Sequence, residues 1–310
     1  MTPTPRVISL LPSATEMVAA VGMQSSLVGV SHECDFPAGV VGLPIMTRTT
    51  LRSLPSSADI DRDVRKLITE VLAVYELELD RLRDAKPDVI VTQDLCDVCA
   101  VSYDDVCAAA RKLGNPELEI VNLHPKVLAD IWNDIRRVAT ALDREAEAET
   151  VLADIDRRVE AVRERASSVS ARPAVLTIEW LDPVMVGGTW MPELVELAGG
   201  TALVTSPGDH APTLGIDALR ELAPDVVLFK PCGFDLKRSK SEMHVIDELL
   251  AATNWPATAA GRVFLADGNA YFNRPGPRIV DSLEILAACV HRDLFKDLAT
   301  AHADAFVKLR

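Results

Sequence analysis

Two short clusters hold the residue types best suited to chemistry. Ser31, His32, Glu33, Cys34 and Asp35 follow the apolar run Leu27–Val30, just before Phe36 and Pro37. Asp94, Cys96, Asp97 and Cys99 follow a second apolar run that ends at Gln93. His, Cys, Glu and Asp can ligate a metal or hydrogen-bond a polar ligand. The Cys96-x-x-Cys99 spacing suits two thiolates on one metal, or a dithiol/disulfide pair. No second Cys-x-x-Cys exists to complete a structural zinc site, so Cys34 and His32 are the expected remaining ligands of a zinc or iron centre.

Other polar and aromatic residues cluster where predicted strands end. Ser13, Ala14, Thr15 and Glu16 lie in the first strand–helix turn, where Ser13 or Thr15 can act as N-cap and Ser13-x-x-Glu16 fits a capping box. That turn lacks the Gly and Lys of a phosphate loop. Further on come Glu179 and Trp180, Trp190 in Gly187-Gly188-Thr189-Trp190, His210 in a polar loop, Phe234 after a strand, and Tyr271, Phe272 and Arg274 ahead of the last helix, with Pro277 suited to its first position. Two tryptophans so close together in predicted loops suit a flat ligand or an interface. His124, His244, His291 and His302 read as ordinary surface or helix residues. No Gly-x-Ser-x-Gly elbow, His-Glu-x-x-His or Rossmann glycine fingerprint is present. No convincing catalytic set appears.

The elements that must position these residues alternate in type. Val7–Leu11, Leu27–Ser31, Asp88–Gln93 and Leu118–Leu123 read as strands, with helices over 14–21, 60–85 and 102–113. In the second half, Ala174–Trp180, Thr201–Val204, Asp225–Lys230 and Arg262–Ala266 read as strands, with helices over 191–198, 216–222, 241–251 and 277–299. This order implies α/β lobes built on parallel sheets, with ligands beyond the carboxyl ends of the strands. Between the halves, Asp143–Ser167 is strongly helix-forming and would be roughly 37 Å long. The expected organisation is an N-terminal lobe over 1–124, a helical linker over 125–170 and a C-terminal lobe over 171–310. The halves echo each other: the stretch 82–96 aligns with 219–232, and 14–22 with 191–199.

Composition narrows the classes. Of 310 residues, 32 are Lys or Arg and 46 are Asp or Glu, a net charge of −14 with no basic stripe, which argues against nucleic acid. Nothing is apolar enough to span a membrane. Pro12 and Glu16 interrupt the first apolar run and no small-residue cleavage site follows, so a cytoplasmic location is expected, or a periplasmic one if a leader has been removed.

The segment Ile8–Glu16, followed by Leu27–Ser31, resembles the start of the cobalamin and iron-siderophore substrate-binding proteins of ABC transporters. The long central helix and paired lobes fit the same family. The resemblance implies the class III periplasmic-binding-protein-like fold, two Rossmann-like α/β lobes bridged by a rigid helix. It further implies capture of a cobalamin-like or other metal-chelate ligand in the cleft, with an ABC permease as partner. Matching contact positions would be Ser13, Ala14, Thr15, Glu16, His32, Glu33, Cys34, Asp35, Trp180 and Trp190. With no export signal expected and with the added Cys clusters, the chain is expected to fall in a signal-less subgroup. These clusters leave a second reading, a cytosolic metal-binding or redox protein that uses His32, Cys34, Cys96 and Cys99.

Overall fold

A computed structural model describes residues 4–50, 56–69, 75–94 and 103–310. The described residues form two compact units. The first lies within 4–50, 62–125 and 129–154. The second lies within 56–61, 126–128 and 155–310.

Apart from residues 57–61 of α2 and Leu128 of α5, which belong to the second unit, the first unit runs β1 (Val7–Ser9), α1 (Pro12–Ala20), β2 (Leu27–Val30), β3 (Thr47–Thr49), α2 (Ser57–Thr69), β4 (Tyr75–Leu77), α3 (Leu79–Ala85), β5 (Val89–Gln93), α4 (Tyr103–Leu113), β6 (Glu119–Leu123), α5 (Leu128–Thr140) and the start of α6 (Glu145–Ser167). Four strands pair in the order β2-β1-β5-β6, all parallel, while β3 and β4 form a separate antiparallel pair. Ile8, Leu10, Met46, Leu82, Ile90 and Val106 form a core under that sheet.

The second unit contains β7 (Ala174–Trp180), β8 (Met185–Val186), α7 (Met191–Leu197), β9 (Thr201–Ala202), α8 (Ile216–Arg220), β10 (Val226–Phe229), α9 (Leu236–Ser241), α10 (Met243–Thr253), α11 (Pro256–Ala259), β11 (Val263–Ala266), α12 (Ile279–Val290), α13 (Lys296–Ala301) and β12 (Phe306–Lys308). Its sheet order is β12-β11-β10-β7-β8, with β9 beside β7. The pairs among β7, β9, β10 and β11 are parallel, and β8 and β12 are antiparallel edges. Leu176, Ile178, Phe229, Trp255, Val263 and Leu265 anchor its core. The mixed α/β fold with parallel sheets is as expected. The helix expected over 143–167 spans Glu145–Ser167.

Several sequence expectations are corrected. The single helix over 60–85 is two helices, α2 and α3, separated by β4. Tyr75, Leu77 and Leu79 alternate with Glu76 and Glu78, a period-2 pattern that pairs with β3 instead of continuing a helix. The helix over 241–251 is preceded by α9, and Glu242 separates the two because its side chain turns inward to Ser57 and Arg238. The helix over 277–299 ends at Val290, where Leu294 and Phe295 turn their N–H groups back to the His291 carbonyl. Pro277 precedes that helix instead of opening it. The capping box at Ser13 is absent, because Pro12 already occupies the first helical turn and Leu11 is the N-cap. No described helix is long and apolar enough to cross a membrane.

Candidate functional site

Each unit presents its polar groups where its parallel strands end. In the first unit, β1 leads into α1, which buries Ser13, Ala14, Thr15 and Glu16. Thr15 Oγ1 lies 2.8 Å from Ser9 Oγ and 3.1 Å from Cys34 Sγ. A thiol held there is a small packed group tied to a hydroxyl, and Cys34 is 9% exposed. Beyond β2, His32 directs Nδ1 to Thr47 Oγ1 at 2.7 Å, and its N–H donates to the same oxygen. Burial, partly opposed by the Glu33 charge, pulls the His32 pKa below its usual value. Glu33 and Asp35 are exposed. His32 and Cys34 thus bond different partners, Thr47 and Thr15, across a turn in which the Cys34 N–H donates to the Ser31 carbonyl.

Beyond β5 and β6 lies a further group. Asp94 Oδ1 is 2.5 Å from His124 Nδ1, and Asp94 Oδ2 accepts from Asn122 Nδ2 at 2.8 Å. Burial acts to raise the Asp94 pKa, but the Asn122 and His124 hydrogen bonds outweigh it and hold the carboxylate below its usual range. The His124 backbone N–H donates to Asp134, a buried carboxyl on α5. Cys96 and Cys99 lie outside the described residues. Among the described residues, Asp281, Glu284 and His302 are the one group of three whose ligating atoms converge as a metal would require, and Arg158 already neutralises its two carboxylates. A zinc or iron centre at His32 and Cys34 therefore finds no support.

In the second unit the last residues of β7 and β10 meet a buried cation. Lys230, 1% exposed, donates to Glu179 Oε2 at 2.9 Å and to Asn273 Oδ1 at 2.8 Å. Asn273 Nδ2 in turn donates to the carbonyls of Gly268 and Lys230. Gly187 is required beside this group: a Cβ there would lie 2.5 Å from Thr177 Oγ1 and 3.4 Å from the Lys230 side chain. Trp180, half-buried, sits 5.3 Å from the Phe234 ring at a tilted angle, and the Arg238 guanidinium lies 4.7 Å over the Phe234 ring. Trp180 closes β7 and is no loop residue. Trp190 is the N-cap of α7 and buried, its indole N–H donating to the Phe272 carbonyl. It serves packing more than an exposed partner surface. Arg274 is buried and donates to Asn269 Oδ1. Tyr271 lies under the Arg278 guanidinium, and His210 is exposed in its loop.

Residues 7–270 match the periplasmic binding protein family. The chain belongs to that family. A vitamin B12-binding protein of Pectobacterium carotovorum is 23% identical over 278 residues, covering 89% of this chain and 84% of the relative. One of Vibrio cholerae is 22% identical over 283 residues, covering 91% and 87%. Among solved structures, the periplasmic vitamin B12 binding protein of Vibrio cholerae superposes with a TM-score of 0.66 at 20% identity, covering 95% of this chain and 99% of that one. A periplasmic heme-binding protein from Pseudomonas aeruginosa gives 0.69 at 18% identity, covering 93% of each. These likenesses establish a shared fold.

Within this periplasmic binding protein, sequence reasoning names Glu179, Trp180 and Phe234, and the structure places the Trp180 and Phe234 rings side by side. Sequence reasoning passes over Lys230, Asn273 and the Asp94–His124 pair. Lys230 ends a run of buried apolar residues, and a charge at the last position of such a strand was the available signal. Asn122 on β6 and His124 just beyond it are two residues apart, and both hydrogen-bond Asp94, a period-2 pattern that the residue order alone displays.

Proposed function

We propose that the chain captures a cobalamin-like or other metal-chelate ligand, for ABC-type uptake or for intracellular handling. What carries the reading is kinship with vitamin B12-binding proteins along about nine-tenths of the chain. The chemistry of the strand ends supports it. Trp180 and Phe234 offer an aromatic wall, and Glu179, fixed by Lys230, offers an oriented acceptor for the amide groups that rim a corrin. The role is binding, and an ABC permease is the partner that family membership suggests.

Equilibrium dialysis against cyanocobalamin, with hemin as comparator, tests this. Saturable one-to-one binding of either supports the reading. Retention of neither at high protein concentration overturns it. Fractionation of the native host then separates the two settings. Recovery from the periplasm assigns the chain to uptake, and recovery from the cytoplasm assigns it to intracellular handling.

A further inference from the structure

The geometry points to His124 Nε2 as the atom of this chain that coordinates the metal of a bound chelate. The inference rests on the reading of the chain as a metal-chelate binder and adds how the metal is held. His124 stands just beyond β6, and Asp94 stands just beyond its neighbour β5, whose Gln93 pairs with Leu123. Both are therefore at the carboxyl edge of a parallel sheet, where α/β folds take their ligands.

His124 is held at two points. Its backbone N–H donates to buried Asp134, and its Nδ1 donates to Asp94, whose second oxygen is occupied by Asn122. A proton on Nδ1, shared with the Asp94 carboxylate, leaves the lone pair on Nε2. A carboxylate behind an imidazole fixes its tautomer and ring orientation and raises its basicity as a metal ligand. Nε2 has no hydrogen-bond partner among the described residues, and the side chain is 47% exposed.

The other histidines are arranged differently. His291 and His302 spend Nε2 on the Gly199 carbonyl and on Glu284. His32 is turned to a neutral hydroxyl, Thr47. His210 and His244 are exposed at the surface. Among the described residues, only His124 pairs a carboxylate-backed Nδ1 with an Nε2 that has no hydrogen-bond partner there.

With aquocobalamin the step is a ligand exchange. The cobalt-bound water leaves as water, the Nε2 lone pair forms the Co–N bond, and the Nδ1 proton stays on the imidazole, shared with Asp94. No electron is transferred.

The test is a titration of aquocobalamin with the full chain, read in parallel by dialysis and by visible absorption. Wild-type protein is expected to bind and to shift the corrin bands. Cyanocobalamin, whose exchangeable position is filled by cyanide, is expected to bind without a shift. His124→Ala is expected to retain binding by dialysis, weakened about tenfold, and to lose the shift, with its melting temperature confirming that it folds. Asp94→Asn is expected to keep the shift but to need more ligand, by no more than the about tenfold that His124→Ala costs. Wild-type binding with no shift, or a shift that survives His124→Ala, overturns the inference and leaves the proposed function standing. Absence of binding by dialysis defeats both.

Discussion

Lys230 Nζ, at the end of β10, lies 2.9 Å from Glu179 Oε2, near the end of the adjacent parallel strand β7. The amine is almost wholly enclosed, whereas the carboxylate side chain retains 22% exposure. The pair is therefore asymmetric: the enclosed cation depends on its partner more than the anion does. Removing one member of a buried pair leaves an uncompensated charge, which typically costs about 3–5 kcal/mol. Glu179→Gln should accordingly destabilise by about 3 kcal/mol. Lys230→Met/Glu179→Gln should cost less than the sum of its two single changes. Urea unfolding of the four proteins measures this, and strictly additive losses would contradict it.

Asp134 titrates in an unusual range. Burial pushes its carboxyl up to about 6, against the lowering influence of Arg137 and of the His124 N–H. The folded protein thus holds this proton more tightly than the unfolded chain, whose value is near 3.8. The contribution is present below about pH 4 and is lost as pH rises through about 6, a span on the order of 3 kcal/mol. Asp134→Asn should be more stable than wild type at pH 7, and the difference should shrink towards pH 4. Chemical unfolding across that range reads it, and a constant difference would count against the assignment.

Glu284 has the opposite sign. Burial raises its pKa, but hydrogen bonds from His302 and Arg158 prevail and hold it at about 2. Its stabilisation is present above about 4.5 and is lost as pH falls towards 2, on the order of 3 kcal/mol. Glu284→Gln should be destabilised at pH 7 and nearly indistinguishable from wild type at pH 2. An equal deficit at both values would rule this out.

Two glycines of the second unit should behave in contrast. A Cβ at Gly268 would sit 2.1 Å from the Pro231 carbonyl oxygen, a backbone atom that cannot swing away. At Gly215 nothing lies within 4 Å. Gly268→Ala should cost about 2 kcal/mol through overpacking, and Gly215→Ala should change stability by less than about 0.5 kcal/mol. Thermal melts of the two variants decide it, and equal melting points would refute the contrast.

Much of the fold is legible in the sequence because its strands are continuous apolar runs closed by Pro, Gly or Asp. Ala174–Trp180 is read to the residue, and α6 to within two. The edges are less legible. β8 and β12 have two and three residues, too few to show a period. The site is harder because its key contacts join residues distant in sequence. Lys230 meets Asn273 across 43 positions, and His124 meets Asp94 across 30. Composition marks such residues as polar and says nothing of who faces whom.

The second unit is not a continuous stretch of chain. It takes in Ser57, whose N–H and hydroxyl both donate to buried Glu242, and Leu128, whose N–H donates to Glu193. A fragment or chimera starting at Ile155 would deprive two carboxylates of these donors, and Glu242, 2% exposed, has little water to replace them. For protein engineering, this means that cutting in the middle of α6, natural as it looks on paper, removes part of what the excised piece needs to fold. A transplantable version must carry the short segments around Ser57 and Leu128 with it, joined by linkers, or substitute both acids in the same step.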